Sequence, residues 1–196
     1  MRASGPTLET ARLVLRPTAV EDFDGWAQMM ADEPSARFIG GTVPPSTAWR
    51  QLTSMAGAWT LQGFAMFSLI DKASGRWVGR VGPWMPHGWP GTEVGWGVHP
   101  DFAGQGYAYE AAVAAIDWAF DHLGWTDVIH CIDPENEPSR RLAARLGSVN
   151  RGPGRMPAPF EAATIDLWGQ SRDDWRARIR RALTPRSGAC LLYTSR

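Results

Sequence analysis

Lysine is nearly missing from this chain. Of its twenty Lys and Arg residues only Lys72 is lysine, and twenty Asp and Glu residues bring the formal net charge to zero. With an isoelectric point of about 6.9, no global field draws the protein to nucleic acid or to an anionic membrane. Cysteine is scarce: Cys131 and Cys190 fit no metal-ligand spacing and no disulfide framework. The four histidines, His87, His99, His122 and His130, form no cluster of ligand spacing, so no metal site is expected. No apolar run reaches the ~20 residues of a membrane span, and the N-terminus has no apolar signal core. A cytoplasmic protein that binds neither nucleic acid nor membrane is the expectation.

What is present fits a globular protein. A length of 196 residues with 44% hydrophobic content allows one domain with a sizeable core, expected over residues 8–183. The eleven tryptophans are expected mostly in the core or in a cleft wall. The final stretch, residues 184–196, fits no element and reads as a non-native or disordered tail.

The chain is organised around residues 92–124. A strand over Thr92–Val98 leads through a Gly-rich turn, Ala103-Gly104-Gln105-Gly106, into a helix. Ala108, Ala111, Ala112, Ala115, Ile116, Ala119, Phe120 and Leu123 recur with helical period, and Gly124 ends the pattern. Helix N-termini carry unpaired N–H groups and partial positive charge, and glycines let an anion come close to those amides. A phosphate site is one reading of this turn and a plain strand-to-helix connection is the other. Tyr109 stands where the dinucleotide fingerprint needs a small residue, and no Gly-Lys-Ser/Thr follows, so a nicotinamide oxidoreductase and a P-loop are both disfavoured.

The run Val98-x-Pro100-x-x-Ala103-Gly104-x-Gly106-Tyr107-Ala108 resembles the acetyl-CoA signature of the GNAT acetyltransferases. Asn136-x-x-Ser139-x-x-Leu142 followed by Leu146-Gly147 is similar to a second segment of that family. Together with Thr10–Pro17 the resemblance spans about residues 8–178. It is nearest to the branch that acetylates the N-termini of ribosomal proteins. Ala103 departs from the usual Arg or Gln. The resemblance implies an α+β fold: a mixed, mostly antiparallel sheet of six to seven strands, helices on both faces, and a splayed parallel strand pair holding acetyl-CoA.

Elsewhere, Ala11–Arg16 reads as a first strand and Thr18–Glu21 as a capping box. The helix after it turns Phe23, Trp26, Ala27 and Met30 to one side. Ser46 is expected to cap a second helix with Trp49, Leu52, Ala56 and Trp59 on its stripe, ended by Gly63. Strands follow at Phe64–Ile70 and Trp77–Val81, and Pro83 is expected to break the sheet. Asp127–Cys131 completes a strand–helix–strand unit with a right-handed crossover. Asn136 caps a short helix stopped by Gly147. Residues 151–159 read as a loop or distorted strand, Ala162–Trp168 as the last strand and Asp173–Leu183 as a surface helix.

Acetyl transfer to an amine needs a phosphate cradle, a neutral amine, an oxyanion donor and a fate for the leaving thiolate. The resemblance implies that Ala103, Gly104, Gln105, Gly106, Tyr107 and Ala108 cradle the pyrophosphate, and that amides near Trp96 or Val98 hold the acetyl oxygen. Glu93 is the candidate base, its alternative being an ordinary surface strand residue. Many relatives carry a tyrosine acid where this chain has Ala143. Ser139 is the remaining candidate, its alternative being a helix-start hydroxyl serving the backbone. Asn136 is expected as a CoA ligand or cap. The expected activity is acetyl transfer from acetyl-CoA directly to a primary amine, on a small molecule or a peptide N-terminus, by a monomer or homodimer. A non-catalytic acyl-CoA-binding module is the alternative. The parts of the chain expected to face the acceptor are loop 40–46, Trp49 or Trp59, and the Trp84–Trp89 loop.

Overall fold

The computed structural model describes residues 5–183. The elements, in order, are β1 (Leu8–Glu9), β2 (Leu13–Arg16), α1 (Phe23–Ala31), α2 (Glu33–Ala36), α3 (Pro45–Gln62), β3 (Phe67–Asp71), β4 (Trp77–Trp84) and β5 (Glu93–Val98). They continue with α4 (Tyr107–His122), β6 (Asp127–Ile132), α5 (Glu137–Leu146), β7 (Val149–Gly154), β8 (Ile165–Ser171) and α6 (Arg172–Leu183). One eight-stranded sheet runs β1-β2-β3-β4-β5-β6-β8-β7. All neighbours are antiparallel except β5 and β6. This is the expected α+β class with one strand more than expected. The addition is β1, two residues that pair with Val14 and Leu15 and are too short to leave a periodic signal.

The Ala-rich face of α4 packs on β4 and β5, as its spacing requires, with Ala111, Ala112, Ala115, Ile116 and Ala119 all buried. On the other side, α1 packs on β4 and α3. Small side chains bring α4 close to the sheet, and the large rings fill the space between. Trp59, Phe67 and Trp118 form one contiguous aromatic cluster with centroid separations of 4.9, 5.3 and 6.0 Å. Among the described residues no helix is long and apolar enough to cross a membrane.

Local expectations differ from the structure in three places. The capping box at Thr18 does not form, and among the described residues the Thr18 hydroxyl has no partner. Asp22 instead reaches back to the Ala19 N–H at 2.9 Å while its carboxylate takes Arg16 and Ser68. The α3 cap is Pro44 rather than Ser46. Its buried stripe is Ala48, Leu52, Met55 and Trp59, so Trp49 lies one position off the core and is 42% exposed, edge-on to Phe23. Pro83 does not break β4, because the missing N–H costs no ladder bond. In an antiparallel pair only alternate residues bond across, and Pro83, opposite Val94, turns its backbone toward β3, which has already ended opposite Val81. Of the two readings of residues 151–159, the distorted strand forms, as an irregular strand over 149–154 on β8. The tail expected over 184–196 lies outside the described residues.

Candidate active site

The site is made where the sheet opens. The parallel pairing of β5 and β6 is confined to Glu93 opposite Ile129, with the Ile129 N–H bonded to the Thr92 carbonyl at 3.0 Å. A continued ladder would next join the Cys131 N–H to the Val94 carbonyl. It does not. The Cys131 N–H donates to Glu93 Oε1 at 3.1 Å, and the Val94 carbonyl accepts from His130 Nδ1 at 2.7 Å. Two side chains satisfy the groups left by the splay, so the gap needs no ladder bond to close it. Alternation along β5 turns the N–H groups of Trp96 and Val98 toward the same gap.

Glu93 is therefore not a surface residue. It is 7% exposed, and its Oε2 accepts the Trp89 indole N–H. Burial raises its pKa above the usual carboxylate range, opposed by the Cys131 and Trp89 hydrogen bonds and by the charge of Arg80. Cys131 is pushed upward by burial and by the Glu93 charge, so its thiol stays protonated. His130 is depressed to about 4, chiefly by burial, and is neutral. The tautomer with Nδ1–H bonded to Val94 leaves Nε2 to accept the Ser148 hydroxyl at 2.9 Å. The Gln170 amide in turn donates to Ser148 Oγ at 3.0 Å.

On the far side of the gap, Asn136 caps α5 by accepting the Ser139 N–H at 3.2 Å. The Ser139 hydroxyl oxygen accepts the Trp96 indole N–H at 3.0 Å, which leaves its own hydrogen free. Glu93, Trp96, Asn136 and Ser139 all line one cleft of about 690 Å³. Phe38, Trp84, His87, Trp89 and Phe160 supply aromatic walls. The Trp84–Trp89 loop faces it as expected, and Gly40 of loop 40–46 lines it too. Trp49 and Trp59 do not line it: the first lies outside on α3, and the second is in the core, its indole bonded to the Met66 carbonyl.

The glycine turn borders a second, shallower groove of about 770 Å³, lined by Gly104, Gln105, Gly106, Arg12, Tyr109 and Arg145 among others. Gly104 and Gly106 have φ of +72° and +83°. A Cβ on Gly104 would meet nothing within 4 Å, and one on Gly106 only the tip of Arg12 at 3.5 Å. Their lack of side chain thus serves backbone conformation and an open approach rather than packing. Gly106 is the N-cap of α4 and no side chain caps that end, so the first amides of a 16-residue helix are left to an outside acceptor. Arg12 fixes the turn by donating to the Gln105 carbonyl at 3.0 Å. It also sits 4.2 Å over the Tyr107 ring and is held by Glu110. The donor set, bare amides beside Arg12 and Arg145, fits a pyrophosphate.

Of the other expected cradle residues, the side chain of Gln105 bonds back to the Asp101 carbonyl, and Tyr107 points into the core, its hydroxyl on Asp71. Ala103, Tyr107 and Ala108 have only their backbone to offer, and Val98 lines neither cavity. Arg80 and His130 are the cleft residues that sequence reasoning missed. A lone arginine inside the apolar strand 77–84 was the available signal for the first. For the second there was none, because its role depends on a partner strand.

The chain matches the model of the acetyltransferase (GNAT) domain over residues 12–149. It belongs to the GNAT acetyltransferases. It is 30% identical over 165 residues to the uncharacterized N-acetyltransferase p20 of Bacillus licheniformis, covering 83% of this chain and 93% of that protein. The acetyltransferase from Agrobacterium tumefaciens shares the fold with a TM-score of 0.75 at 28% identity, over 88% of this chain and 98% of that one. A ribosomal-protein alanine acetyltransferase from Vibrio fischeri also shares the fold, with a TM-score of 0.67 at 19% identity, over 87% and 98% of the two chains. GNAT enzymes use acetyl-CoA, and acetyl transfer is the activity these likenesses carry; the non-catalytic alternative is not favoured.

Proposed function

We propose that this enzyme passes the acetyl group of acetyl-CoA directly to a primary amine of a small molecule or a peptide N-terminus, with Glu93 as the general base. The observation that carries the reading is a buried carboxylate of raised pKa set in the splay between β5 and β6, facing an aromatic cleft. The amides of Gly104–Ala108 cradle the CoA pyrophosphate, helped by Arg12 and Arg145. The thioester reaches the gap, where the N–H of Trp96 or Val98 holds its carbonyl oxygen. Backbone donors are already oriented, so they stabilise the tetrahedral oxyanion without reorganisation.

The incoming amine loses its proton to Glu93, directly or through one water, and its nitrogen attacks the carbonyl carbon. A base of raised pKa suits this task near neutral pH. Collapse of the intermediate breaks the C–S bond. The thiolate is a weak base, with a pKa of about 8.5 by analogy with cysteine. It therefore needs a hydrogen-bond donor more than a strong acid. Ser139, with its oxygen held by Trp96 and its hydrogen free, supplies that bond, and Asn136 holds the helix start that presents it. The protonated Cys131 thiol supports direct transfer over a cysteine-bound acetyl intermediate.

Among the described residues only Glu93 and Asp133 bring carboxylates to the cleft lining, against Arg37, Arg50 and Arg80. Arg37 is tied to Glu135, which leaves two acids against Arg50 and Arg80, too few for the several ammonium groups of an aminoglycoside, so a compact amine or a peptide α-amine is preferred. The test is release of free CoA thiol from acetyl-CoA with a short peptide, an aryl-alkyl amine and an aminoglycoside in parallel. The reading expects turnover with one of the first two. Preference for the aminoglycoside overturns the acceptor class, and CoA release with none of them overturns the activity.

A further inference from the structure

One charged group in the cleft enters the chemistry above only through its charge on Glu93. Arg80 lies on β4 opposite Gly97, while Gly82 faces Gly95 and Trp84 faces Glu93. Directly opposed residues project to the same side of a sheet. Arg80, Trp84 and Glu93 therefore share one side with three glycines between them, and Met66 and Ile39 pack over that strip: a Cβ would meet Met66 at 2.5 Å on Gly95 and Ile39 at 3.5 Å on Gly97. The guanidinium stacks 4.7 Å from the Trp26 ring centroid. Its Nε is buried with no hydrogen-bond partner, and among the described residues no hydrogen bond or ion pair engages the group at all. Burial lowers even this arginine to about 10, against the opposing effect of the Glu93 charge. Arg37, by contrast, is tied to Glu135 at 2.8 Å.

An unsatisfied buried donor costs stability and a buried unpaired charge costs more. Arginines in the ion pairs of this protein find carboxylates readily: Arg16 takes Asp22 and Arg151 takes Asp127, each through two bonds. Arg80 lines the cleft yet has no such partner. Building on the acetyltransferase reading, we propose that Arg80 is the specificity residue for an acceptor that carries a carboxylate as well as its amine, as an amino acid or a related compound does. The planar fork offers its two Nη groups to the two carboxylate oxygens. The Trp26 face holds the fork flat, and the cleft of about 690 Å³ that Arg80 and Glu93 both line takes the acceptor. The amine then lies toward the base and the carboxylate toward Arg80, so one molecule neutralises the cleft's unpaired cation and presents its nitrogen for attack.

The experiment compares a panel of amino acids with their neutral carboxamides as acceptors. Alongside it, calorimetry follows binding of the N-acetylated acids and N-acetylated amides, which need no turnover. Both are run on the parent enzyme, Arg80→Gln and Arg80→Lys, with thermal melts and acetyl-CoA affinity as folding controls. The parent is expected to favour at least one acid over its amide, in kcat/KM and in affinity. Arg80→Gln is expected to lower that acid-to-amide ratio by roughly 10- to 100-fold, and Arg80→Lys to fall between. Taking the ratio cancels the different basicities of the amines. A ratio that Arg80→Gln leaves unchanged overturns the proposal, including the case where the variant only shifts the pH profile through Glu93. If no amine is acetylated but Arg80-dependent binding of an N-acetylated acid survives, the proposal stands and the acetyltransferase reading fails. If amines are acetylated with no Arg80-dependent preference, the proposal fails and the reading stands.

Discussion

Glu93 Oε1 accepts the Cys131 N–H at 3.1 Å, the bond that an unbroken parallel ladder would have given to the Val94 carbonyl. The same carboxylate thus stands in for backbone at the splay and faces the cleft. A base anchored to both strands keeps its position relative to the Trp96 and Val98 amides on β5. Orientation of this kind contributes to rate because reacting groups must approach within ~3–3.5 Å.

The cradle is tested at Gly106. Its φ of +83° penalises any side chain, by about 1–2 kcal/mol for alanine, and its open face is where the proposed cradle would receive the phosphate. Gly106→Ala is expected to fold with a lowered melting temperature and to bind acetyl-CoA at least tenfold more weakly by calorimetry. Unaltered affinity would show that the pyrophosphate rests elsewhere.

Trp59 separates core from acceptor wall. At 1% exposure, with its indole on the Met66 carbonyl at 3.1 Å, it belongs to the core. Trp59→Phe removes a hydrogen-bond donor and leaves a void, so urea unfolding should show a loss of about 2 kcal/mol or more. KM for the amine should stay near that of the parent. A large KM change at unchanged stability would put Trp59 in the cleft after all.

Much of this was legible beforehand, for reasons that are local. The α4 period, the glycines on either side of Gln105 and the Asn136 cap are written in neighbouring residues. What was not legible depends on register or phase. Arg80 and Glu93 share one side of the sheet only because β4 and β5 pair in one alignment, and no window of sequence shows that Glu93 is buried. The α3 stripe slipped by one position at Trp49 because the helix starts at Pro45, where proline at the first helical position competes with Ser46 as a start signal.

His130 gives the fold an acid limb. Its folded pKa of about 4 lies below the ordinary 6.5. Its contribution to stability is therefore fully present above about pH 6.5 and is lost as pH falls through about 4, worth on the order of 3 kcal/mol in all. His130→Asn keeps a donor for the Val94 carbonyl and removes the titration. Unfolding free energies measured from pH 7 to pH 4 should fall less steeply in the variant than in the parent. Parallel curves would contradict a buried neutral imidazole.

The most direct test of the account is the rate of single-turnover acetyl transfer as a function of pH in the parent and in Glu93→Gln. Glutamine keeps an oxygen for the Cys131 N–H but sets an amide against the Trp89 indole, so Glu93→Gln with Trp89→Phe serves as the relieved comparison. In the parent the rate should rise with pH through the raised pKa of Glu93, as the carboxylate gains the capacity to take a proton. The account predicts that both variants lose that limb and fall by about 10²–10⁴-fold near neutral pH while acetyl-CoA affinity holds. Transfer at the parent's rate, with the same pH dependence, would contradict it.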